Sequence, residues 1–192
     1  KDFINPEKKN IKVIIKPIKK FYNYKYKHYW FKNKAYQSNP LRHCNWKIHM
    51  LWSEKVHFVY EVVKKKYFDT EYYGWCDIGY FRNRKDNIVD NDIELNDTDI
   101  KLLTNWPDNH KIQKLDKKKI HYGLLNNNRQ FLDNIHNQIN NKTINKLPTI
   151  QTNPNIIGFS GGFFILHHKK AKFWKKLYNN KLRLYFENNY LV

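Results

Sequence analysis

A lone aspartate, Asp77, lies at the centre of residues 73–82, a run that is otherwise mostly apolar or aromatic. Such a run is typical of the end of a buried strand, where an unpaired charge is very costly. Asp77 must therefore be hydrogen-bonded, paired with a cation or bound to a metal. Gly79 lets the backbone approach a ligand closely, and Arg82 supplies a permanent positive charge that suits phosphate. A carboxylate, a glycine and an arginine in this order indicate a nucleotide-sugar site.

The neighbouring side chains each have a functional and a structural interpretation. Arg82 can bind phosphate through two parallel hydrogen bonds, or it can pair with a surface carboxylate. Trp75 and Tyr80 can stack on a base or a sugar, although aromatic residues of strands commonly lie in the core. Gly161 and Gly162 interrupt a second apolar run, where they can open space for a sugar or form a bulge. The sequence leaves these alternatives open.

Alternating strand and helix patterns surround these residues. We predict strands at residues 11–15, 72–78, 101–104, 119–125 and 159–166. We predict helices at residues 45–66, from 126–128 to about 139, and 170–187. Strands that alternate with helices favour an α/β sandwich whose central sheet is mostly parallel. Ligands of such sheets bind at the carboxyl ends of the strands, which is where Asp77 lies. Because both runs are too apolar for a sheet edge, we predict that Asp77 follows a central strand, beside the strand that carries Gly161 and Gly162.

Composition predicts one globular domain over residues 1–192 and limits the classes of partner. Lys and Arg number 36 against 17 Asp and Glu, which gives a net charge of +19. The excess is mostly Lys, and Lys, Asn, Ile, Tyr and Phe all have AT-rich codons. We infer an AT-rich genome, such as that of a large DNA virus or an AT-rich microbe. Many lysines are then expected to be solvated surface, so nucleic acid is not expected to be the main partner.

The two cysteines, Cys44 and Cys76, exclude a disulfide-rich scaffold and a zinc site made of cysteines alone. Cys76 is expected to be a buried thiol, which favours a reducing compartment. We predict no transmembrane segment and no signal peptide. The expected location is the cytoplasm, or for a viral protein the host cytoplasm or the virion.

Three segments in this order, residues 50–59, 73–82 and 161–164, resemble the HtrL/YibB family, whose viral members are similar across nearly the whole chain. The family is grouped with glycosyltransferases of the GT-A fold. The resemblance therefore implies a Rossmann-like three-layer sandwich with a mostly parallel central sheet.

The same resemblance implies roles for individual residues. Asp77 becomes the catalytic carboxylate and the ligand of Mn²⁺ or Mg²⁺, ions that prefer oxygen ligands. The metal would stabilise the charge that builds on the departing diphosphate. Glu54 and Lys55 are expected near the donor phosphates, together with Gly79 and Arg82. A solvated face of the helix is the alternative interpretation for Glu54 and Lys55.

Two features depart from the family pattern. No convincing strand precedes Ile11, and the family's acidic segment beyond the final Tyr-Leu-Val is absent, so we expect a GT-A-like domain that lacks both ends. Residues 77–79 also carry one carboxylate where many GT-A enzymes place two.

The expected function is transfer of a sugar from a nucleotide-sugar to a glycan or protein acceptor with a divalent metal. The alternatives are a non-catalytic nucleotide- or glycan-binding remnant of such an enzyme and, third, a basic nucleic-acid-binding protein.

Overall fold

The computed structural model describes residues 10–36, 43–77, 107–124, 128–141, 147–148 and 159–189. Within these ranges the helices are α1 (Lys27–Asn33), α2 (Trp46–Lys65), α3 (Asn109–Gln113), α4 (Arg129–Asn140) and α5 (Ala171–Glu187). The strands are β1 (Tyr72–Cys76), β2 (Ile120–Leu124) and β3 (Phe159–His167). A 3-10 helix, Tyr22–Tyr26, leads directly into α1.

The long helix α2 follows the apolar spacing of its sequence. Its buried face includes Met50, Ser53, Val56 and Val59, which follow one another at the three-residue interval of a helix face. The Asn45 side chain accepts a hydrogen bond from the Lys47 N–H at 3.0 Å and caps the first turn. Lys66 ends the helix in the left-handed conformation. The predicted helix at 45–66 is thus confirmed.

Most other predicted elements are also confirmed within a few residues: the strands at 72–78, 119–125 and 159–166 and the helices ending near 139 and 187. Asn128 caps α4 by accepting a hydrogen bond from the Phe131 N–H. The strand predicted at 101–104 lies outside the described residues.

The predicted mostly parallel central sheet, and with it the Rossmann-like GT-A sandwich, is wrong. The described strands form a three-stranded sheet in the order β1-β3-β2, and β3 runs antiparallel to both neighbours. Alternation of strands and helices indicates the type of each element but not the strand direction. Here β3 inserts between β1 and β2, so two strands that share a direction are not adjacent.

The prediction that Asp77 follows a central strand is likewise wrong for the described sheet. The central strand is β3, which carries Gly161 and Gly162, and β1 lies at one edge. The prediction that the strand before Asp77 lies beside the strand of Gly161 and Gly162 is nevertheless confirmed, because Cys76 pairs with Phe163 in the β1–β3 register.

One face of the sheet packs against α2 and α5. Val56 and Val59 of α2 meet Phe164 and Leu166 of β3 together with Ala171, a group that we call the sheet-side core. Tyr73 and Trp75 of β1 pack against it. Fully burying a large apolar side chain stabilises a fold by about 1.5–3 kcal/mol, so this group fixes the position of β1 under α2.

A second group, the helix-side core, joins three helices. Trp30 of α1, Met50 of α2, and Leu182 and Phe186 of α5 are almost completely buried there. The Phe186 ring stacks on Tyr29 and meets Trp30 edge-on, with ring centroids 4.9 and 4.6 Å apart. The aromatic richness of residues 21–31 is thus used to attach α1 to α5.

The strand predicted at residues 11–15 is wrong. These residues form no strand, and Ile15 is 93% exposed. Lys16 pairs with Glu61 of α2 at 2.8 Å, so this segment is tied to a helix and not to the sheet. None of the described helices is long and apolar enough to cross a membrane.

Gly74 of β1 allows the close approach of β3, which gives a test of the sheet. A Cβ at this position would lie 2.4 Å from the Phe164 carbonyl oxygen, whereas a Cβ at Gly161 would meet nothing within 4 Å. We expect Gly74→Ala to lower the free energy of unfolding by about 1–3 kcal/mol, because backbone must move. Gly161→Ala should change it by less than about 1 kcal/mol. Urea unfolding of both variants checks this, and equal losses would contradict the described register.

Candidate functional site

Asp77 directly follows β1 and continues its alternation of side chains. Tyr73 and Trp75 face α2, so Asp77, two residues on, reaches the same side of the sheet. Its backbone N–H donates to the Gly162 carbonyl oxygen at 2.7 Å, which extends the contact between β1 and β3 past the last paired residues. The carboxylate is therefore fixed at the end of the sheet beside the glycine pair.

Lys55 of α2 provides a cation that pairs with the partly exposed Asp77 carboxylate. Its Nζ lies 2.7 Å from Asp77 Oδ2 and 3.0 Å from the Gly161 carbonyl oxygen. The Lys55 side chain is 11% exposed and that of Asp77 is 36% exposed. The indole N–H of Trp75 donates to the other carboxylate oxygen, Oδ1. Both oxygens of Asp77 are thus engaged.

The glycine pair lies at an irregularity in the sheet, which is the bulge that one of the two interpretations of Gly161 and Gly162 predicts. Tyr122 of β2 pairs with Phe164, but the next residue, Gly123, pairs with Ser160. Residues 161–163 therefore have no partner in the β2 register, and the Gly161 carbonyl is available to Lys55. A Cβ on Gly162 would lie 3.1 Å from Asp77 Oδ2, so glycine also makes room for the carboxylate.

These groups line an open cleft of about 510 Å³ between α2, α5 and the sheet. Its described wall contains Asp77, Lys55 and Gly161, together with aromatic rings. The rings belong to Trp52, Tyr122, Phe164 and Tyr178. Trp52 is 41% exposed and Tyr122 is 40% exposed, so their surfaces are accessible from solvent. A cleft of this size, with aromatic walls and few polar groups, is typical of small-molecule sites.

The described residues do not fit the predicted Mn²⁺ or Mg²⁺ ion at Asp77. They contain no group of three or more side chains that could hold a metal. The carboxylate already contacts the Lys55 ammonium, and two unit positive charges about 4 Å apart repel by about 4 kcal/mol at an effective dielectric constant of about 20; a divalent ion doubles this. The metal therefore stays a prediction from sequence, without support from the described residues around Asp77.

His167 and His168 do not complete a site with Asp77. His167 pairs with Tyr72 at the start of β1, while Asp77 lies beside Gly162. At about 3.3 Å per residue, Gly162 and His167 of β3 are about 17 Å apart. His167 is buried, and its Nε2 lies 3.6 Å from Glu71 Oε1.

Glu54 is buried, not part of a solvated helix face, and its carboxylate binds backbone. Its oxygens accept hydrogen bonds from the N–H groups of Tyr22 at 2.7 Å and Asn23 at 3.0 Å. These donors open the 3-10 helix that leads into α1, where N–H groups lack partners within the helix. Burial raises the Glu54 pKa, and the two N–H groups oppose that rise. Glu54 thus holds the segment before α1 against α2.

His57 lies one helical turn after Ser53 on α2, and it also supports the segment before α1. Its ring stacks on Tyr22 with centroids 4.0 Å apart and is 5% exposed. Burial, followed by the positive charge of Lys175, lowers the His57 pKa from 6.5 to about 4. The neutral imidazole is therefore the form that the fold requires.

Three predicted site residues, Gly79, Tyr80 and Arg82, lie outside the described residues. Of the others, the structure brings Lys55, Asp77, Trp75, Gly161 and Gly162 together. The sequence missed the cleft residues Trp52, Tyr122 and Tyr178, which belong to three different elements. Only the period-two spacing of residues 120–124 and the helical spacing of Tyr178 gave a signal, and both signals indicated core.

No protein-family model matches the chain, and no curated protein or solved structure shows significant similarity to it. The resemblance to HtrL/YibB proteins therefore stays a prediction that rests on the quoted segments.

The Glu54 contacts predict a large effect of its removal. Glu54→Ala leaves two N–H groups without their acceptor, so we expect a loss of about 2–4 kcal/mol in the free energy of unfolding. Glu61→Ala on the same helix removes partly exposed ion pairs with Lys16 and Lys65 and should cost about 0–1 kcal/mol. Urea unfolding compares the two variants. A loss at Glu54 no larger than that at Glu61 would refute the anchoring role.

His57 predicts a dependence of stability on pH. Because its folded pKa is about 4 and its ordinary value is 6.5, the unfolded chain takes up the proton first as the pH falls. The contribution of His57 is complete above pH 6.5 and is lost towards pH 4, by about 3 kcal/mol in all. His57→Phe should abolish this loss, while the titration of Glu54 is common to both proteins. We expect the difference in the free energy of unfolding between the wild type and His57→Phe to change between pH 6.5 and pH 4. Parallel curves of stability against pH would contradict this expectation.

Proposed function

We propose that the protein is glycosyltransferase-like and binds a nucleotide-sugar in the cleft at the end of β1. The observation that carries the proposal is the partly exposed Asp77 carboxylate, held by Lys55 and Trp75 at the mouth of an aromatic cleft. A carboxylate accepts hydrogen bonds from sugar hydroxyls, and aromatic rings offer flat apolar surfaces to a sugar or a base. The net charge of +19 favours the approach of a diphosphate.

In the transfer reaction, an acceptor hydroxyl oxygen would bond to the anomeric carbon of the donor while the bond from that carbon to the diphosphate breaks. The hydroxyl proton passes to solvent, and the nucleoside diphosphate leaves. Asp77 would orient the donor sugar, and Gly161 would leave space for it. Arg82 remains a candidate phosphate ligand from the sequence.

A binding protein without turnover is the second candidate, and one observation favours it. Both oxygens of Asp77 are engaged within the protein, which suits a carboxylate that positions a ligand better than one that takes up a proton. Release of free nucleoside diphosphate from the donor distinguishes the two candidates. Release marks the enzyme, and binding without release marks the non-catalytic protein.

The proposal predicts that blocking the cleft weakens donor binding. Gly161→Leu places a side chain where a Cβ meets nothing within 4 Å, so the fold should be kept while the cleft is filled. We expect the affinity for a uridine or guanosine diphosphate-sugar, measured by calorimetry, to fall about tenfold or more, or about 1.4 kcal/mol. Asp77→Asn should reduce the affinity for the nucleotide-sugar more than that for the free nucleotide.

Asp133→Asn on α4 is the matched control, since Asp133 is exposed and pairs only with Arg129 among the described residues. Wild-type affinity in both cleft variants would refute the site. A nucleic-acid-binding protein would instead bind a short duplex with a steep dependence on salt, insensitive to Gly161→Leu.

A further inference from the structure

We infer that the Lys55 ammonium takes the place of a divalent cation in this cleft, so that the diphosphate of the ligand is bound without metal. The inference rests on the proposed function, because it concerns the same cleft and the same class of ligand. It departs from the metal dependence that the sequence predicts.

The position of Lys55 is the first observation that supports the inference. Its side chain crosses from α2 to the end of the sheet, and its Nζ contacts both Asp77 Oδ2 and the Gly161 carbonyl oxygen. An ammonium so deeply buried is retained only where acceptors surround it. The irregularity at the glycine pair supplies one of those acceptors. The cation is thus a fixed part of the site and not a mobile surface charge.

The hydrogen-bonding capacity of Lys55 supports it next. An ammonium has three N–H donors, and two of them bind Asp77 and Gly161. The third has no acceptor among the described residues, and Lys55 lines the cleft. A phosphate oxygen of a ligand in the cleft would complete the set. Such a charge-assisted hydrogen bond is among the stronger polar contacts in proteins.

The chemistry of Asp77 completes the argument. A divalent ion is attracted to a carboxylate by its negative charge, and a cation that already pairs with the same carboxylate repels that ion. Asp77 Oδ2 carries Lys55, and Oδ1 carries the Trp75 indole N–H. Removing the ammonium would free Oδ2. The variant Lys55→Met should therefore acquire the metal dependence that the wild-type protein lacks.

The experiment measures binding of uridine diphosphate and of a uridine diphosphate-sugar by calorimetry, in chelator and again in Mn²⁺. For the wild-type protein we expect equal affinities in the two conditions. For Lys55→Met in chelator we expect the affinity to fall about tenfold or more, and Mn²⁺ should partly restore it. With uridine diphosphate present, the free Mn²⁺ signal in electron paramagnetic resonance should fall below that of a protein-free mixture of Mn²⁺ and nucleotide for Lys55→Met but not for the wild type.

Lys65→Met is the control, since Lys65 lies on the same helix, is exposed and pairs with Glu61. It should bind like the wild type, and Lys55→Arg should keep binding in chelator. Wild-type binding that requires Mn²⁺ would overturn this inference while leaving the proposed function intact. Failure of the wild type to bind either nucleotide in both conditions would overturn the proposed function and this inference with it.

Discussion

Two neighbouring charges of α2, Glu54 and Lys55, are withdrawn from solvent, and the fold is arranged to satisfy them. Burial of an unpaired charge costs more than any single apolar contact returns, so each needs partners in fixed positions. Glu54 receives two backbone N–H groups from the segment before α1. Lys55 receives a carboxylate and a carbonyl from the end of the sheet. One helix therefore positions both the amino-terminal segment and the candidate site.

The sequence predicted the elements better than their arrangement. Period-3.6 spacing found α2 and α5, and apolar runs found β1 and β3, because these patterns follow from burial along one face. Strand direction depends on which edge of the sheet a later strand joins, and no local pattern records that. β3 inserts between two earlier strands, so the α/β pattern led to the wrong sheet. The segment at 11–15 has the composition of a strand but no neighbouring strand among the described residues.

The candidate site was predicted only in part, because local patterns do not record which elements meet in the fold. Asp77 was recognisable because a carboxylate in an apolar run requires a partner, and the glycine pair because it interrupts a strand. The identity of the partner was not recognisable. Lys55 is 22 residues away in sequence and lies on a helix whose charges ordinarily face solvent. The aromatic wall draws on separate elements, so only the folded chain brings Trp52, Tyr122 and Tyr178 together.

The two cores are not independent structures, because α2 and α5 run through both. Tyr178 of α5 packs against the sheet-side core and the helix-side core alike. Opening of the region around α1 would loosen the same helices that hold β1 in place. We therefore expect α1, α2, α5 and the sheet to form one cooperative unit of the kind that hydrogen exchange reveals, in which amides of distant elements exchange together. The position of Lys55 over Asp77 is then maintained by the stability of the whole unit and not by the cleft alone.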